Sequence, residues 1–236
     1  MSLILVLETA TPVCSVALAR NGELLSLSES TAPNAHAGVI TLFIEKLFRE
    51  TALSYSDLDA VAVSMGPGSY TGLRIGVATA KGLCYALDKP LLAIPTLEAM
   101  ASGMLKDEGR GTKAGSGMLY CPMIDARRME VYCAVYDEHL REVRPTEAVI
   151  VNEHSFEELL NNQPLLFAGN GEAKCKETLS GSSNALFLDH FRPSARFLTG
   201  LAEERFRKTQ FEDLAYFEPF YLKDFIAGIP KVKGLK

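Results

Sequence analysis

Residues Met65–Gly76, MGPGSYTGLRIG, follow directly on the apolar run Ala60–Ser64 and decide how the chain is read. Strand-forming residues end abruptly in a Gly-Pro-Gly turn, and Ser69 or Thr71 then offers a hydroxyl to cap a helix entering at Gly72. Backbone N–H groups at such a helix start can hold an anion, or the glycines can let a neighbouring backbone pack closely. The stretch is not a Walker loop, because Leu-Arg follows Gly72 where that motif needs Lys and then Ser or Thr. It carries neither GxGxxG nor the GxSxG of a nucleophile elbow, so Ser69 and Thr71 read as capping residues.

Outward from this unit the first hundred residues alternate in a regular order. Leu3–Leu7 predicts a buried strand, and Ser15–Arg20 and Glu23–Ser30 flank Asn21-Gly22, a strong hairpin signal. A helix is expected over Ala35–Glu50 with Asn34 as its cap, a strand over Ala60–Ser64 and a helix over Thr71–Leu87. A strand over Leu91–Ile94 and a helix over Leu97–Lys106 complete the half. The glycine-rich Lys106–Gly117 reads as a connection. A similar order then restarts, with strands at Tyr120–Asp125, Glu130–Tyr136, Ala148–Val151, Leu165–Ala168 and Leu186–Leu188. Helices are expected at Phe156–Asn161, Gly171–Leu179 and Ser194–Lys208. The fold class is therefore α/β, with mixed sheets, helices on their faces and two related halves.

The composition supports a packed core: 47% of the 236 residues are hydrophobic. A net charge of −5 argues against broad adhesion to nucleic acid or anionic membrane. Five scattered cysteines without a CxxC pair read as reduced thiols, and no basic leader or membrane-length run opens the chain, so a soluble, cytoplasmic protein is expected.

The motifs in their order resemble the TsaB (YeaZ) family, which serves tRNA threonylcarbamoyladenosine synthesis. The matching pieces are LETAT at Leu7–Thr11, GPGSYTGLRIG at Gly66–Gly76, PTLEAMA at Pro95–Ala101, IDARRMEVYCAVY at Ile124–Tyr136 and PFYLKDF near the C-terminus. The resemblance implies the two-domain actin-like/Hsp70-like (ASKHA, RNase H-like) fold. One domain would span 1–106, joined by the C-terminal segment 209–236, and the second 107–208. It also implies an accessory role beside the larger paralogue TsaD, with the ATPase TsaE joining the complex and TsaC supplying the threonylcarbamoyl-adenylate. A homodimer through the same helices and contact with tRNA inside the complex are further implications.

The resemblance implies that the catalytic paralogue carries two His four apart around a Glu on the corresponding helix. Here that segment reads Thr96-Leu97-Glu98-Ala99-Met100, so Thr and Met stand in the His positions, and both are poor ligands for a hard metal. His36, His139, His154 and His190 show no ligand spacing. No metal site, no cofactor and no catalytic residue are expected. Asp125, before Ala-Arg-Arg, reads as an ion-pair partner of Arg127 or Arg128. Nucleotide binding remains an alternative, carried by Thr9 and Thr11 in the first hairpin and by Gly169 and Gly171 after Leu165–Ala168; the acidic-x-Gly pattern of active kinases is missing. An ATP-dependent phosphotransferase or ATPase is the enzyme reading that this would serve.

The remaining candidate is an interface. Val39, Ile40, Phe43 and Leu47 with their apolar neighbours exceed one narrow helical stripe, and Gly72, Gly76 and Ala80 form a strip with little side-chain bulk beside Leu73, Ile75 and Thr79. Helical glycine costs about 1 kcal/mol relative to alanine, so its repeated use implies a steric need. That need is met either by the protein's own sheet or by a partner helix; the resemblance favours the partner. Arg74, Arg127 and Arg128 are candidates for assembly or tRNA contact. Phe220, Tyr221 and Leu222 are expected to pack the C-terminal segment on the body, and Lys231–Lys236 to form a frayed basic tail.

Overall fold

β1 (Leu3–Glu8) is buried along its whole length because strands flank it on both edges and helices cover both faces. The computed structural model describes residues 1–32, 36–107 and 117–223. β2 (Cys14–Arg20) pairs antiparallel with β1, and β3 (Glu23–Ser30) antiparallel with β2. Between them Asn21 and Gly22 both take positive φ, 51° and 83°, as the tight turn of this hairpin requires. β4 (Ala60–Gly66) and β5 (Leu91–Pro95) add in parallel, giving the order β3-β2-β1-β4-β5.

α1 (His36–Thr51) and α2 (Tyr70–Leu87) cover one face of this sheet. α1 buries Ile40, Ile44, Leu47 and Phe48. Four such side chains contribute about 6–12 kcal/mol in all, enough to hold a helix that would not persist alone. Ser69 caps α2 through its hydroxyl, which accepts from the Gly72 N–H at 3.3 Å, so the capping role falls to Ser69. Asp88 closes the helix in the left-handed conformation.

The second half repeats the plan. β6 (Leu119–Asp125), β7 (Glu130–Tyr136) and β8 (Glu142–Ile150) form an antiparallel meander, and β9 (Leu165–Ala168) and β10 (Ala185–Phe187) add in parallel. The order β8-β7-β6-β9-β10 is that of the first sheet. The short α4 (Glu157–Leu160) and α5 (Glu172–Leu179) pack on its outer face. α3 (Thr96–Asp107) and α6 (Thr199–Arg207) lie between the sheets. Leu97, Met100, Ala101 and Met104 of α3 enter the second half's core, while Leu201 and Ala202 of α6 enter that of the first. Each half thus lends a helix to the other.

The chain then returns to the first sheet. The Glu212 N–H donates to Leu91 O at 2.9 Å, the Phe220 N–H to Met65 O at 2.7 Å, and Phe217 is buried against that sheet's outer core. Lys81 Nζ ties the segment down by donating to the carbonyls of Ala215 and Phe217.

Two elements differ from the sequence reading. β8 begins at Glu142, not Ala148: it is an edge strand, where Pro145 is tolerated and charged residues face solvent. The expected helix Ser194–Lys208 is broken into a 3-10 turn over Ala195–Phe197, capped by the Ser194 hydroxyl, and α6. The expected Asn34 cap, most of the connection Lys106–Gly117, and Lys231–Lys236 lie outside the described residues. Among the described residues no helix is long and apolar enough to cross a membrane.

Candidate functional site

The loop after β1 explains the glycines of the opening motif. The Ser69 N–H donates to Ala10 O at 2.6 Å, drawing the α2 N-terminus onto that loop. A Cβ at Gly68 would strike the carbonyl of Ala10, one at Gly72 the carbonyl of Thr9, and one at Gly76 the Thr9 hydroxyl, all closer than the 3.0 Å that real Cβ atoms keep. Gly66, at φ 120°, meets the Phe220 carbonyl in the same way. The glycines therefore serve close packing within the chain.

Glu8 lies under this contact, fully enclosed. Burial pushes its carboxyl from the ordinary 4.5 up to about 7, against the opposing hydrogen bonds from the Ala10 N–H and the Ser64 hydroxyl. The folded state thus holds the proton more tightly than the unfolded chain. The associated stability is complete below pH 4.5 and is lost as pH rises to about 7. At 1.36 kcal/mol per unit this amounts to about 3 kcal/mol. Glu8→Gln keeps an acceptor for Ala10 but cannot ionise. Its stability relative to the wild-type chain should therefore rise by about 3 kcal/mol between pH 4.5 and 8 in urea titrations. A constant difference across that range would refute the enclosed proton.

The three residues on α3 that stand where the paralogue has its His-x-Glu-x-His pattern each have a structural task. Thr96 Oγ1 accepts the Gly66 N–H at 3.1 Å inside the core. Glu98 Oε2 pairs with Arg205 Nη2 at 2.7 Å, joining α3 to α6. Met100 is buried, with its Cε filling the space in which a Gly169 side chain would stand. Among the described residues, no three His, Cys, Asp or Glu side chains converge in a ligand set.

The nucleotide candidates are not brought together on an open surface. Thr9 and Thr11 are both buried, Thr9 against Gly72 and Gly76 of α2. Gly169, at φ 117°, is pressed against Met123 O, and Gly171 against the backbone of Ile124 and Asp125. This β9–α5 turn is closed on β6. Asp125 differs in its partner from the sequence expectation: Lys174, not Arg127 or Arg128, pairs with it at 2.5 Å. Partial burial works against its ionisation, but the hydrogen bonds from Lys174 and the Arg127 N–H, together with the charges of both residues, outweigh it and hold the carboxyl below its ordinary range. Arg127 contributes its backbone N–H at 2.8 Å. Arg127 and Arg128 themselves stand exposed at the hairpin tip.

The interface candidates divide between inside and outside. Ile40, Leu47, Gly72, Leu73, Gly76 and Ala80 are buried in the chain's own fold, where the sheet and Thr9 occupy that side. Val39, Phe43, Ile75 and Thr79 are half-buried. The outward faces of the same helices carry Leu42, one of the apolar residues the sequence offered on α1, and residues that the sequence reading passed over: Gly38 and Thr41 on α1, and Ala78, Gly82 and Tyr85 on α2. Gly38 and Gly82 have nothing within 4 Å, Leu42 is 59% exposed and Tyr85 84%. At the start of α2, Arg74 stacks on Tyr70 at 4.1 Å and donates to the Tyr221 hydroxyl at 3.3 Å, tying helix and C-terminal segment together.

Comparison with known proteins agrees with this geometry. Residues 29–231 match the model of the family TsaD, tRNA N6-adenosine threonylcarbamoyltransferase. The chain is 29% identical over 232 residues to the Escherichia coli tRNA threonylcarbamoyladenosine biosynthesis protein TsaB, covering 95% of this chain and 96% of that one. It is 29% identical over 181 residues to the Bacillus subtilis TsaB, covering 75% and 74%. The structure of YeaZ from Pseudomonas aeruginosa superposes with a TM-score of 0.78 at 26% identity, covering 94% of this chain and all of that one. Two mixed sheets of one topology, with helices on their faces, make the actin-like α/β fold of these proteins. The chain belongs to the TsaD family and, within it, to the TsaB (YeaZ) proteins of tRNA threonylcarbamoyladenosine biosynthesis.

Proposed function

We propose that this chain is a non-catalytic accessory subunit that docks a TsaD-type paralogue through the outward faces of α1 and α2. Docking keeps the paralogue competent to transfer threonylcarbamoyl to the adenosine beside the anticodon. The observation that supports this reading is that Thr96 and Met100 are employed inside the core, where the paralogue's pattern would need ligands, and that Glu98 is paired with Arg205. The open stripe of Gly38, Leu42, Ala78, Gly82 and Tyr85 supports the docking face, since small and aromatic residues on rigid helices let another helix approach and anchor it. A second copy of the chain would use the same stripe, TsaE would join the heterodimer, and a cytoplasmic location follows from the substrate. The same reading treats 1–106 with the returning segment from 209 as one lobe and 107–208 as the other, α3 and α6 crossing between them.

The test is reconstitution of tRNA modification from TsaC, TsaD, TsaE, ATP, threonine and bicarbonate, with and without this chain. Modification is expected only when it is present together with TsaD, and none from this chain with ATP alone. ATP hydrolysis by the isolated chain, or modification that ignores its omission, would favour the ATPase reading instead.

A further inference from the structure

A cleft of about 480 Å³ opens where the two halves meet, on the face of α3 that carries Glu98. From the first half Met65, Gly66, Pro67 and Pro95 line it, joined by Phe220 of the returning segment; from the second come Tyr136, Leu140, Glu142 and Thr146. Most of this lining is apolar, and its charged groups are both acidic. Arg205 takes one oxygen of Glu98, Oε2. Glu142 has no ion-pair partner among the described residues and stands at the solvent edge on β8, opposite Tyr136 on β7. Burial first, and then the charges of Glu98 and Glu142, raise the Tyr136 hydroxyl above its ordinary range, against the Thr146 hydrogen bond and the charge of Arg205. Apolar walls with one exposed carboxylate and one largely buried carboxylate suit a cation that has a greasy body.

We propose that this cleft binds a guanidinium or ammonium group carried on an apolar stem. The charge sits on Glu142 and the Glu98–Arg205 pair, and the stem lies between Phe220, Met65 and Leu140. Because the walls come from both halves, the bound group bridges them. Two sources share this chemistry: a free small amine or guanidine, and a basic side chain presented by a partner protein.

Two-dimensional amide NMR on the full chain at low salt, titrated with butylguanidinium, tests the site. Saturable shifts are expected at residues 136–146 and around Phe220, weakened about ten-fold in Glu142→Gln, the loss expected for one charge-assisted hydrogen bond. Uncharged butylurea, of nearly the same shape, should bind at least about ten-fold more weakly than butylguanidinium. A second titration uses the peptide acetyl-Leu-Arg-Leu-amide. Binding at least ten-fold tighter than butylguanidinium assigns the cleft to a partner's side chain; equal or weaker binding assigns it to a small molecule. No saturable shift, or binding indifferent both to Glu142→Gln and to the loss of the probe's charge, would overturn the proposal. Glu142 is exposed on an edge strand, so its variant keeps the fold, and an unchanged spectrum without probe verifies that.

Discussion

Gly72→Ala is expected to lower the stability of the folded chain by about 3 kcal/mol, although one methyl group in a helix ordinarily stabilises. The reason is local. The new Cβ would be driven into the carbonyl oxygen of Thr9, and that oxygen belongs to backbone which cannot swing aside like a side-chain tip. Either α2 lifts from the loop after β1, breaking the short bond from the Ser69 N–H to Ala10 O, or the loop shifts and disturbs the enclosed Glu8. For a chain of this length the loss corresponds to a fall in melting temperature of about 6–12 °C. Gly82→Ala on the same helix is the control. Gly82 faces open space, so its replacement recovers the helix propensity that glycine forgoes and adds about 0.5–1 kcal/mol. Thermal or urea unfolding of the two variants should move in opposite directions. Equal, small effects would mean that α2 does not sit on the loop as described.

The contrast shows how far the sequence could be read. The order of strands and helices was plain because each strand is a short apolar run and each turn carries its own chemistry: Asn21-Gly22 for the first hairpin, Gly-Pro-Gly before α2. The repeated plan of the two halves followed from that order. The exchange of α3 and α6 between the sheets did not, since α3 is apolar on more than one side and α6 is rich in charge, so the pattern does not say which sheet either meets. β8 begins six residues before the expected Ala148 because an edge strand lacks the strict alternation of a central one and tolerates Pro145. Asp125 found Lys174, 49 residues away, where the sequence offered only the adjacent arginines. The glycine strip was legible as a steric demand but not as to its partner. A period of 3.6 assigns Gly72 and Gly76 to one face of α2 and Gly82 to another; only the packing shows that Thr9 fills the first and nothing fills the second.

That distinction governs how the docking face is tested. A charge at Gly76 would enter the buried contact with Thr9 and unfold the chain, so loss of pairing in that variant would say nothing about an interface. Gly82→Glu puts the charge on the outward stripe instead. The isolated chain should melt no lower than wild type and at most about 4 °C above it, because the site is open and glutamate recovers about the same 0.5–1 kcal/mol of helix propensity as alanine. Against a partner helix the same carboxylate would be buried without a counter-charge. Such a charge costs about 2–5 kcal/mol, so affinity for the TsaD-type paralogue should fall by at least about 30-fold, and tRNA modification with it at sub-saturating concentration. Calorimetry or fluorescence anisotropy with the purified paralogue reads the affinity, and sedimentation of the chain alone reads whether a second copy is lost in parallel. Unchanged affinity in Gly82→Glu, and again in Leu42→Glu on α1, would remove both helices from the interface and with them the docking half of the proposed function. Lost affinity with an undiminished melting temperature would assign pairing to the one face of α1 and α2 that the chain's own core leaves open.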